Sequence, residues 1–220
     1  MITLGKIQNF LSEEEINWFL WYWSILPKKI DTGQRNRSMT YFNVPFFHRI
    51  CKKLDQKVKL NSPHEEITTV NINDDYLPGG VHSDGYIEYD SNDDISLTYL
   101  IPLKTEKDSN YSTVIFNEKS KKAVSLNHEN GLGNSGLVTY PQIKKLEVTE
   151  KENDFDKEIY KKYLSHLKYE SLAGLTLLEV QHWELGSAMV WPRENLHCSA
   201  NFAAKSPRMS LLITTRKNNE

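Results

Sequence analysis

The amino-acid sequence predicts a mainly β protein, built as an antiparallel sandwich with flanking helices. Residues 65–148 consist of short apolar runs separated by turn residues, which is the pattern of antiparallel sheets. Residues 172–214 add further runs of the same kind, again with turn residues between them. Helical periodicity is confined to residues 12–60 and to a charged segment at residues 153–169.

Two helices are expected before the first core strand, which should cover residues 65–73. Ser12 and Glu15 have the spacing of a capping box, so the first helix should begin near Ser12 and end at Pro27. Its apolar positions repeat at helical spacing: Ile16, Phe19, Leu20, Trp23 and Leu26. This face predicts packing against a sheet, with a dimer contact or a substrate wall as alternatives. The second helix should cover residues 45–60.

A single domain fits the length of 220 residues. We expect residues 1–64 to form helical support, residues 65–215 to form the β core, and residues 153–169 to form a helical insertion outside it. Residues 127–136 are rich in glycine but lack the Gly-Lys-Ser/Thr of a nucleotide-binding loop. They are therefore either an active-site flap or a plain surface loop.

The composition disfavours several classes of function. A net charge of −2 gives no strong positive field for nucleic acid or an anionic membrane. The only two cysteines, Cys51 and Cys198, do not have the spacing of a zinc site or a disulfide framework. The first residues lack the apolar core of a signal peptide, and the longest apolar stretch, residues 18–26, is too short to cross a bilayer. We therefore expect a cytoplasmic protein.

Three side chains form a candidate metal site. His82 and Asp84 are two residues apart, so in a strand both would point to the same side. His197 follows a strand at residues 186–192 and a turn at residues 193–195, and a distant strand could bring it to the same ion. Two imidazoles and one carboxylate leave three positions of a metal open, which suits an oxygen-activating non-haem Fe(II).

Arg208 and Ser210 lie in the last predicted strand, residues 208–214. Alternation places Arg208, Ser210 and Leu212 on one face of this strand. A hairpin return would bring Arg208 back to within a few strand spacings of His197. A guanidinium that points into a barrel needs an anion, and where the protein supplies no carboxylate a ligand could supply it.

The combination of His82-x-Asp84, His197 and Arg208-x-Ser210 resembles the signature of the Fe(II)/2-oxoglutarate-dependent dioxygenases. The residues before His82, Tyr76-Leu77-Pro78-Gly79-Gly80-Val81, are similar to the Tyr-x-Pro-Gly lead-in of that superfamily. The start of the chain is similar to small microbial and phage members of prolyl-hydroxylase type. The resemblance implies a double-stranded β-helix, which is a cupin-like jelly roll, with the N-terminal helices packed on one sheet.

The resemblance also implies roles for these residues. His82, Asp84 and His197 would hold Fe(II), and the far carboxylate of 2-oxoglutarate would bind Arg208 and Ser210. A further hydrogen bond to 2-oxoglutarate could come from the lead-in residue Tyr76.

The implied reaction is hydroxylation of a small-molecule or peptidyl substrate by O₂, coupled to decarboxylation of 2-oxoglutarate to succinate. Ascorbate is a candidate reductant. Asp84 stands where the related halogenases have a small residue, so halogenation is disfavoured. Replacement of Arg208 by Leu should raise the 2-oxoglutarate requirement by orders of magnitude and leave the fold intact.

Two rival functions are a cupin-type metal enzyme that does not use 2-oxoglutarate and a non-enzymatic jelly-roll binding module. Arg208-x-Ser210 argues against the first, and the intact ligand set argues against the second. The five remaining histidines are expected to be ordinary surface or core residues: His48, His64, His128, His166 and His182.

For two further side chains, alternation predicts only which neighbours share their face of the strand. Cys198 should point away from the side that His197 uses, as a small core residue. Tyr99 shares a face with its second neighbours, and Thr98 shares the other face with Leu100. The sequence does not choose which of these two faces points inward.

Overall fold

The computed structural model describes residues 1–26, 30–31, 35–39, 45–75, 77–84, 96–106, 111–120, 124–125, 138–139, 154–202 and 208–217. The larger of its sheets has seven strands: β1 Gly5–Ile7, β2 Ile30–Asp31, β3 Arg35–Met39, β4 Glu65–Asp75, β5 Leu97–Lys104, β10 Ala188–Pro192 and β12 Arg208–Lys217. Their order is β1-β10-β5-β12-β4-β3-β2, and all neighbours are antiparallel.

The smaller sheet has three antiparallel strands in the order β11-β6-β9. These strands are β6 Ser112–Lys119, β9 Leu177–His182 and β11 Asn195–Ser199. A short parallel pair joins β7 Val124–Ser125 to β8 Val138–Thr139. The prediction of a mainly β protein with antiparallel sheets is confirmed.

The two sheets contact each other through side chains that alternate along their strands. Leu100 of β5 packs with Trp191 of β10 and with Ile115 of β6, so this face of the larger sheet points towards the smaller one. The opposite face of β5 carries Leu97, Tyr99 and Ile101, which belong to the main core. The inward face is therefore the one that also carries Thr98.

Two helices cover the outer face of the larger sheet. They are α1 Glu13–Ile25 and α2 Pro45–Asn61, close to the predicted bounds. Ser12 caps α1 through the predicted capping box with Glu15. Phe19 and Leu54 are fully buried in the core that the helices form with β5 and β12. In the described parts of the chain, no helix has the length and hydropathy to cross a membrane.

The segment from residue 154 to residue 172 packs on the outer face of the smaller sheet, as an insertion should. Its apolar residues Phe155, Tyr163 and Leu167 lie against Val114 and Phe116 of β6. This helical segment is not one continuous α-helix, because it divides into α3 Lys157–Ile159, a π turn Tyr160–Leu164 and a 3₁₀ turn Tyr169–Leu172. An apolar spacing of four drifts off one face of an α-helix, which has about 3.6 residues per turn. The wider π turn takes up that drift.

Two expectations about connectivity differ from the structure. The first 64 residues are more than helical support, since β1, β2 and β3 extend both edges of the larger sheet. The hairpin return from the His197 strand to the Arg208 strand is wrong, because β11 and β12 belong to different sheets. β12 is the middle strand of the larger sheet, and its residues Met209, Leu211 and Ile213 belong to the core under the helices.

One buried carboxyl group makes stability depend on pH. Glu65 is 2% exposed, and its carboxyl group is hydrogen-bonded to the Thr215 hydroxyl. Burial raises the pKa of Glu65 to about 7, although Thr215, the Leu97 backbone and two nearby cations act in the opposite direction. The folded protein therefore binds this proton more tightly than the unfolded chain does. Its free energy of unfolding should fall as the pH rises between about 5 and 8.

We expect Glu65→Gln to remove this pH-dependent contribution. The variant should gain stability relative to the wild type as the pH rises, by roughly 3 kcal/mol at the upper end. Chemical denaturation in the presence of a chelator at several pH values measures the difference without a contribution from bound metal. Glu66→Gln is the matched control, since Glu66 lies at the surface beside Arg216. Parallel stability curves for wild type and Glu65→Gln would contradict the assignment.

Candidate metal centre

His82 and His197 are held together by their own backbones. The N–H of each residue donates to the carbonyl of the other at 2.8 Å, in an isolated antiparallel bridge. The two imidazole ring centres lie 4.4 Å apart. The first ligand pair was expected in a regular strand, but residues 81–84 make only this single bridge beside β11.

Asp84 completes a cluster of three potential ligands. The ligand atoms of His82, Asp84 and His197 all lie within 4.8 Å of one another. Asp84 Oδ2 lies 3.4 Å from His197 Nε2. The structure therefore brings the three predicted residues together in a space that one metal ion could occupy.

Backbone carbonyls orient both imidazoles. His82 Nδ1 donates to the Gly80 carbonyl at 2.8 Å, and His197 Nδ1 donates to the Asn195 carbonyl at 3.0 Å. A carbonyl can only accept, so the hydrogen of each neutral ring lies on Nδ1. This leaves the lone pair of each Nε2 for a metal, the usual arrangement of metal-binding histidines.

Asp84 is held as a carboxylate. Thr98 donates its hydroxyl to Asp84 Oδ2 at 2.9 Å. Burial alone would raise the pKa of Asp84, but His197, His82, the Thr98 hydrogen bond and Arg193 together lower it below its ordinary value. A carboxylate between two imidazoles is an anionic, hard oxygen ligand, so the donor set fits a divalent transition metal such as Fe(II).

Arg208 lies in an aromatic enclosure on the inward face of β12. Its guanidinium carbon is 4.2 Å from the ring centres of both Trp183 and Phe202, and 5.7 Å from that of Tyr111. The residue is 2% exposed. Stacking on two rings fixes the plane of the guanidinium, so its donors point in set directions.

The protein supplies Arg208 with a carboxylate. Asp75 lies opposite Arg208 in the register of β4 and β12, and its Oδ2 is 3.6 Å from Arg208 Nε. Both side chains are buried. The charge of Arg208 is therefore balanced inside the protein, and a ligand carboxylate would add to an existing pair instead of supplying the first anion.

Ser210 adds a buried hydroxyl that makes no hydrogen bond to the described protein atoms around it. It is 1% exposed, and its hydroxyl has no hydrogen-bond partner among the residues that the structure describes. Register pairs Ser210 with Pro102 of β5 and with Asn73 of β4, on the same face as Arg208. A carboxylate bound by Arg208 could accept from this hydroxyl, so the pair fits the far end of 2-oxoglutarate.

The remaining predicted residues fall into three groups. Tyr76 and the segment at residues 127–136 lie outside the described residues. Cys198 faces away from the metal cluster, and burial in apolar surroundings raises the pKa of its thiol, which agrees with a small core residue. Tyr99 faces the helices beside Phe10, so its face is not the inward one.

Three residues around the cluster were not predicted from the sequence. Thr98 was one of two candidates for the inward face, and only the packing of Leu100 settles the choice. Asn195 orients His197 through its carbonyl, which leaves no sequence signal. Arg193 donates to the Asp84 carbonyl, again a backbone partner that no side-chain pattern reveals.

The chain is similar to known proteins in its structure, but no similarity was found at the level of sequence. No protein-family profile matches the chain, and no curated protein matches its sequence. Among solved structures, the epimerase SnoN in complex with Fe³⁺, α-ketoglutarate and nogalamycin RO has a TM-score of 0.56 at 9% identity, covering 98% of this chain and 79% of SnoN. The chain therefore shares the fold of SnoN.

Two further structures share this fold. HygX from Streptomyces hygroscopicus, with nickel, 2-oxoglutarate and hygromycin B bound, has a TM-score of 0.55 at 12% identity, covering 99% of this chain and 84% of HygX. The carbocyclase SnoK from nogalamycin biosynthesis has a TM-score of 0.54 at 12% identity, covering 97% and 80%. This chain and the three proteins therefore have a common fold.

Loss of the Thr98 hydroxyl should weaken metal binding. Thr98→Val keeps the shape of the side chain but removes the donor to Asp84 Oδ2, and such partners of a ligand typically contribute about tenfold or more to metal affinity. Titration with Mn(II), followed by the electron paramagnetic resonance of the free ion, measures the change. Thr176→Val, at an exposed position, is the control. Equal Mn(II) affinity in Thr98→Val and wild type would contradict this role.

Proposed function

We propose that the protein is a non-haem Fe(II)- and 2-oxoglutarate-dependent oxygenase, most simply a hydroxylase. The observation that carries the proposal is the cluster of His82, Asp84 and His197, with both Nε2 atoms left for a metal by backbone hydrogen bonds to Nδ1. Two imidazoles and one carboxylate on one side of an ion leave three positions for cosubstrate and O₂.

In this proposal His82, Asp84 and His197 hold the iron. Fe(II) with 2-oxoglutarate would supply the activation of O₂ that couples decarboxylation to succinate with oxidation of a substrate. Thr98 keeps one oxygen of Asp84 fixed, and the Gly80 and Asn195 carbonyls keep the imidazoles in one tautomer. These bonds give the ligands a set geometry before the metal arrives.

Arg208 and Ser210 bind the far carboxylate of the cosubstrate in this proposal. The guanidinium offers paired donors in a plane fixed by Trp183 and Phe202, and Ser210 offers a hydroxyl. Asp75 holds Arg208 in place through their buried ion pair. Tyr76 remains a proposed additional donor.

Apolar side chains beside the cluster exclude water from the site. Trp191 lies with its ring centre 4.9 Å from that of His197, and Ile115 and Met189 pack against it with no exposed surface. A dry wall strengthens the electrostatic hold of the ligands and protects a reactive site from side reactions. We propose that this wall and the two sheets form a double-stranded β-helix within a single domain, residues 1–220.

A small molecule is the substrate class we favour. Two of the proteins with this fold have small molecules bound, nogalamycin RO in SnoN and hygromycin B in HygX. The net charge of −2 offers no general attraction for nucleic acid. A peptidyl substrate is the alternative within the same proposal.

A metal enzyme that does not use 2-oxoglutarate is a second candidate. It is favoured by the buried pair of Arg208 and Asp75, since the charge of the arginine is already balanced without a ligand. The two candidates differ in one measurable property, the binding of 2-oxoglutarate to the iron form.

Anaerobic addition of Fe(II) and 2-oxoglutarate tests the proposal. The wild type should develop the visible charge-transfer band of the chelate, and Asp84→Ala should not. Wild-type protein that binds Fe(II) but gives no band would favour the second candidate. Succinate release in the presence of metabolite and peptide pools would then identify the substrate.

Removal of Arg208 should abolish tight 2-oxoglutarate binding. Arg208→Leu alone leaves Asp75 buried without its partner, which typically destabilises a protein by about 3–5 kcal/mol. We therefore expect the single variant to be unstable, in contrast to the expectation from sequence. The double variant Arg208→Leu/Asp75→Asn should fold, retain Mn(II) binding and lose about 100-fold in 2-oxoglutarate affinity. Arg216→Leu, on the exposed end of β12, is the control.

Titration of the charge-transfer band gives the affinity, and circular dichroism gives the fold. Wild-type 2-oxoglutarate affinity in the folded double variant would exclude Arg208 as the anchor.

A further inference from the structure

The backbone of Asp84 is held by one side chain. Arg193 donates to the Asp84 carbonyl from two nitrogens, Nε at 3.0 Å and Nη2 at 2.8 Å. The N–H of Asp84 in turn donates to the Arg193 carbonyl at 3.1 Å. Both backbone groups of this residue therefore bond to Arg193.

We propose that Arg193 is the positioning residue of the iron-binding carboxylate. This inference rests on the proposed function and extends it to a residue that does not itself contact the metal. Arg193 fixes the backbone of Asp84, and with it the position and orientation of the carboxylate relative to the two imidazoles.

Among the residues that the structure describes, Asp84 has little other backbone support. The segment from residue 81 to residue 84 lies outside the regular strands, and the bridge found in this described part of the chain joins His82 to His197. A ligand in a strand would be placed by ladder hydrogen bonds on both sides. Here the arginine takes the place of that ladder for Asp84.

Arg193 is itself fixed from two directions. Its N–H donates to the Ser96 carbonyl at 2.9 Å, and its Nη1 donates to the Thr215 carbonyl at 3.1 Å. Ser96 directly precedes β5, and Thr215 belongs to β12. The guanidinium therefore links the backbone of Asp84 to the larger sheet and fixes its position relative to that sheet.

The same turn also places the second histidine. Arg193 and Glu194 connect β10 to β11, and Asn195 follows at once with the carbonyl that orients His197. Glu194 is tied to Lys119 by an ion pair of 2.7 Å. One short turn thus positions both Asp84 and His197.

The chemistry of the guanidinium explains why this position requires arginine. Its planar fork can give two converging hydrogen bonds to one carbonyl oxygen and a third bond to another carbonyl. A lysine ammonium is a point donor that cannot reproduce this geometry. The side chain is only half-buried, so its charge alone would contribute little.

The test compares Mn(II) affinity in Arg193→Lys, Arg193→Ala and wild type. We expect the order wild type, then Lys, then Ala, with a total loss of about 10–100-fold, the usual cost of removing a group that orients a ligand. Arg216→Ala, an exposed arginine at the end of β12, is the matched control and should bind like wild type. Thermal unfolding in chelator reports the stability of each metal-free variant separately.

Chemical rescue separates positioning from a merely structural role. Guanidinium chloride at low, non-denaturing concentration should restore part of the Mn(II) affinity of Arg193→Ala, while an equal concentration of sodium chloride should not. If Arg193→Ala is too unstable to purify, Arg193→Lys carries the comparison alone.

Two results would overturn the inference. One is a lowered unfolding temperature with unchanged Mn(II) affinity in Arg193→Lys or Arg193→Ala. The other is a loss of affinity in Arg193→Ala that guanidinium does not restore. If instead the wild type itself fails to bind Mn(II), or Asp84→Ala binds it equally well, the proposed function is wrong and not only the role of Arg193.

Discussion

The paired backbone hydrogen bonds between His82 and His197 are the constraint on which the candidate centre depends. They join a short lead-in segment to β11 and bring two imidazoles side by side. Other groups that orient the ligands lie close to this bridge in the sequence. Gly80 and Asn195, each two residues before a histidine, turn the rings, and the turn before Asn195 holds Asp84. The sheets form a rigid scaffold, and the bridge between His82 and His197 fixes the positions of the two imidazoles in that scaffold.

Electrostatics inside the sandwich follow from burial. Arg208 and Asp75 remove their charges from water together, and this arrangement is stable only if the pair is kept intact. Asp84 is surrounded by imidazoles, a hydroxyl and a cation, so it remains an anion despite its burial. At Glu65, at the far end of β4, the hydrogen bonds and nearby cations lower the pKa by less than desolvation raises it. The same physical effect thus has opposite outcomes at two carboxyl groups.

Spacing and residue type were sufficient to select His82, Asp84 and His197, which the structure brings together, because side chains that bind metals are drawn from few types. Arg208 and Ser210 were selected in the same way and lie on one face of β12, and their role stays a proposal. The sequence also predicted both N-terminal helices, since capping and apolar periodicity are local properties.

What it could not predict depends on long-range contacts. The strands β1 to β3 are too short or too polar for alternation to reveal them. The inward face of β5 depends on which neighbour Leu100 meets, and the partner of Arg208 depends on the register of β4 with β12. The groups that orient the ligands bind backbone atoms, and a carbonyl has no signature in the sequence.

This use of carbonyls has an evolutionary consequence. A hydrogen bond to the backbone carbonyl of residue 80 or residue 195 survives substitution of that residue, provided the backbone keeps its path. The surroundings of the cluster can therefore change in sequence over long periods without loss of its geometry. Only the positions whose side chains themselves bind or hold a ligand of the cluster require one particular residue type.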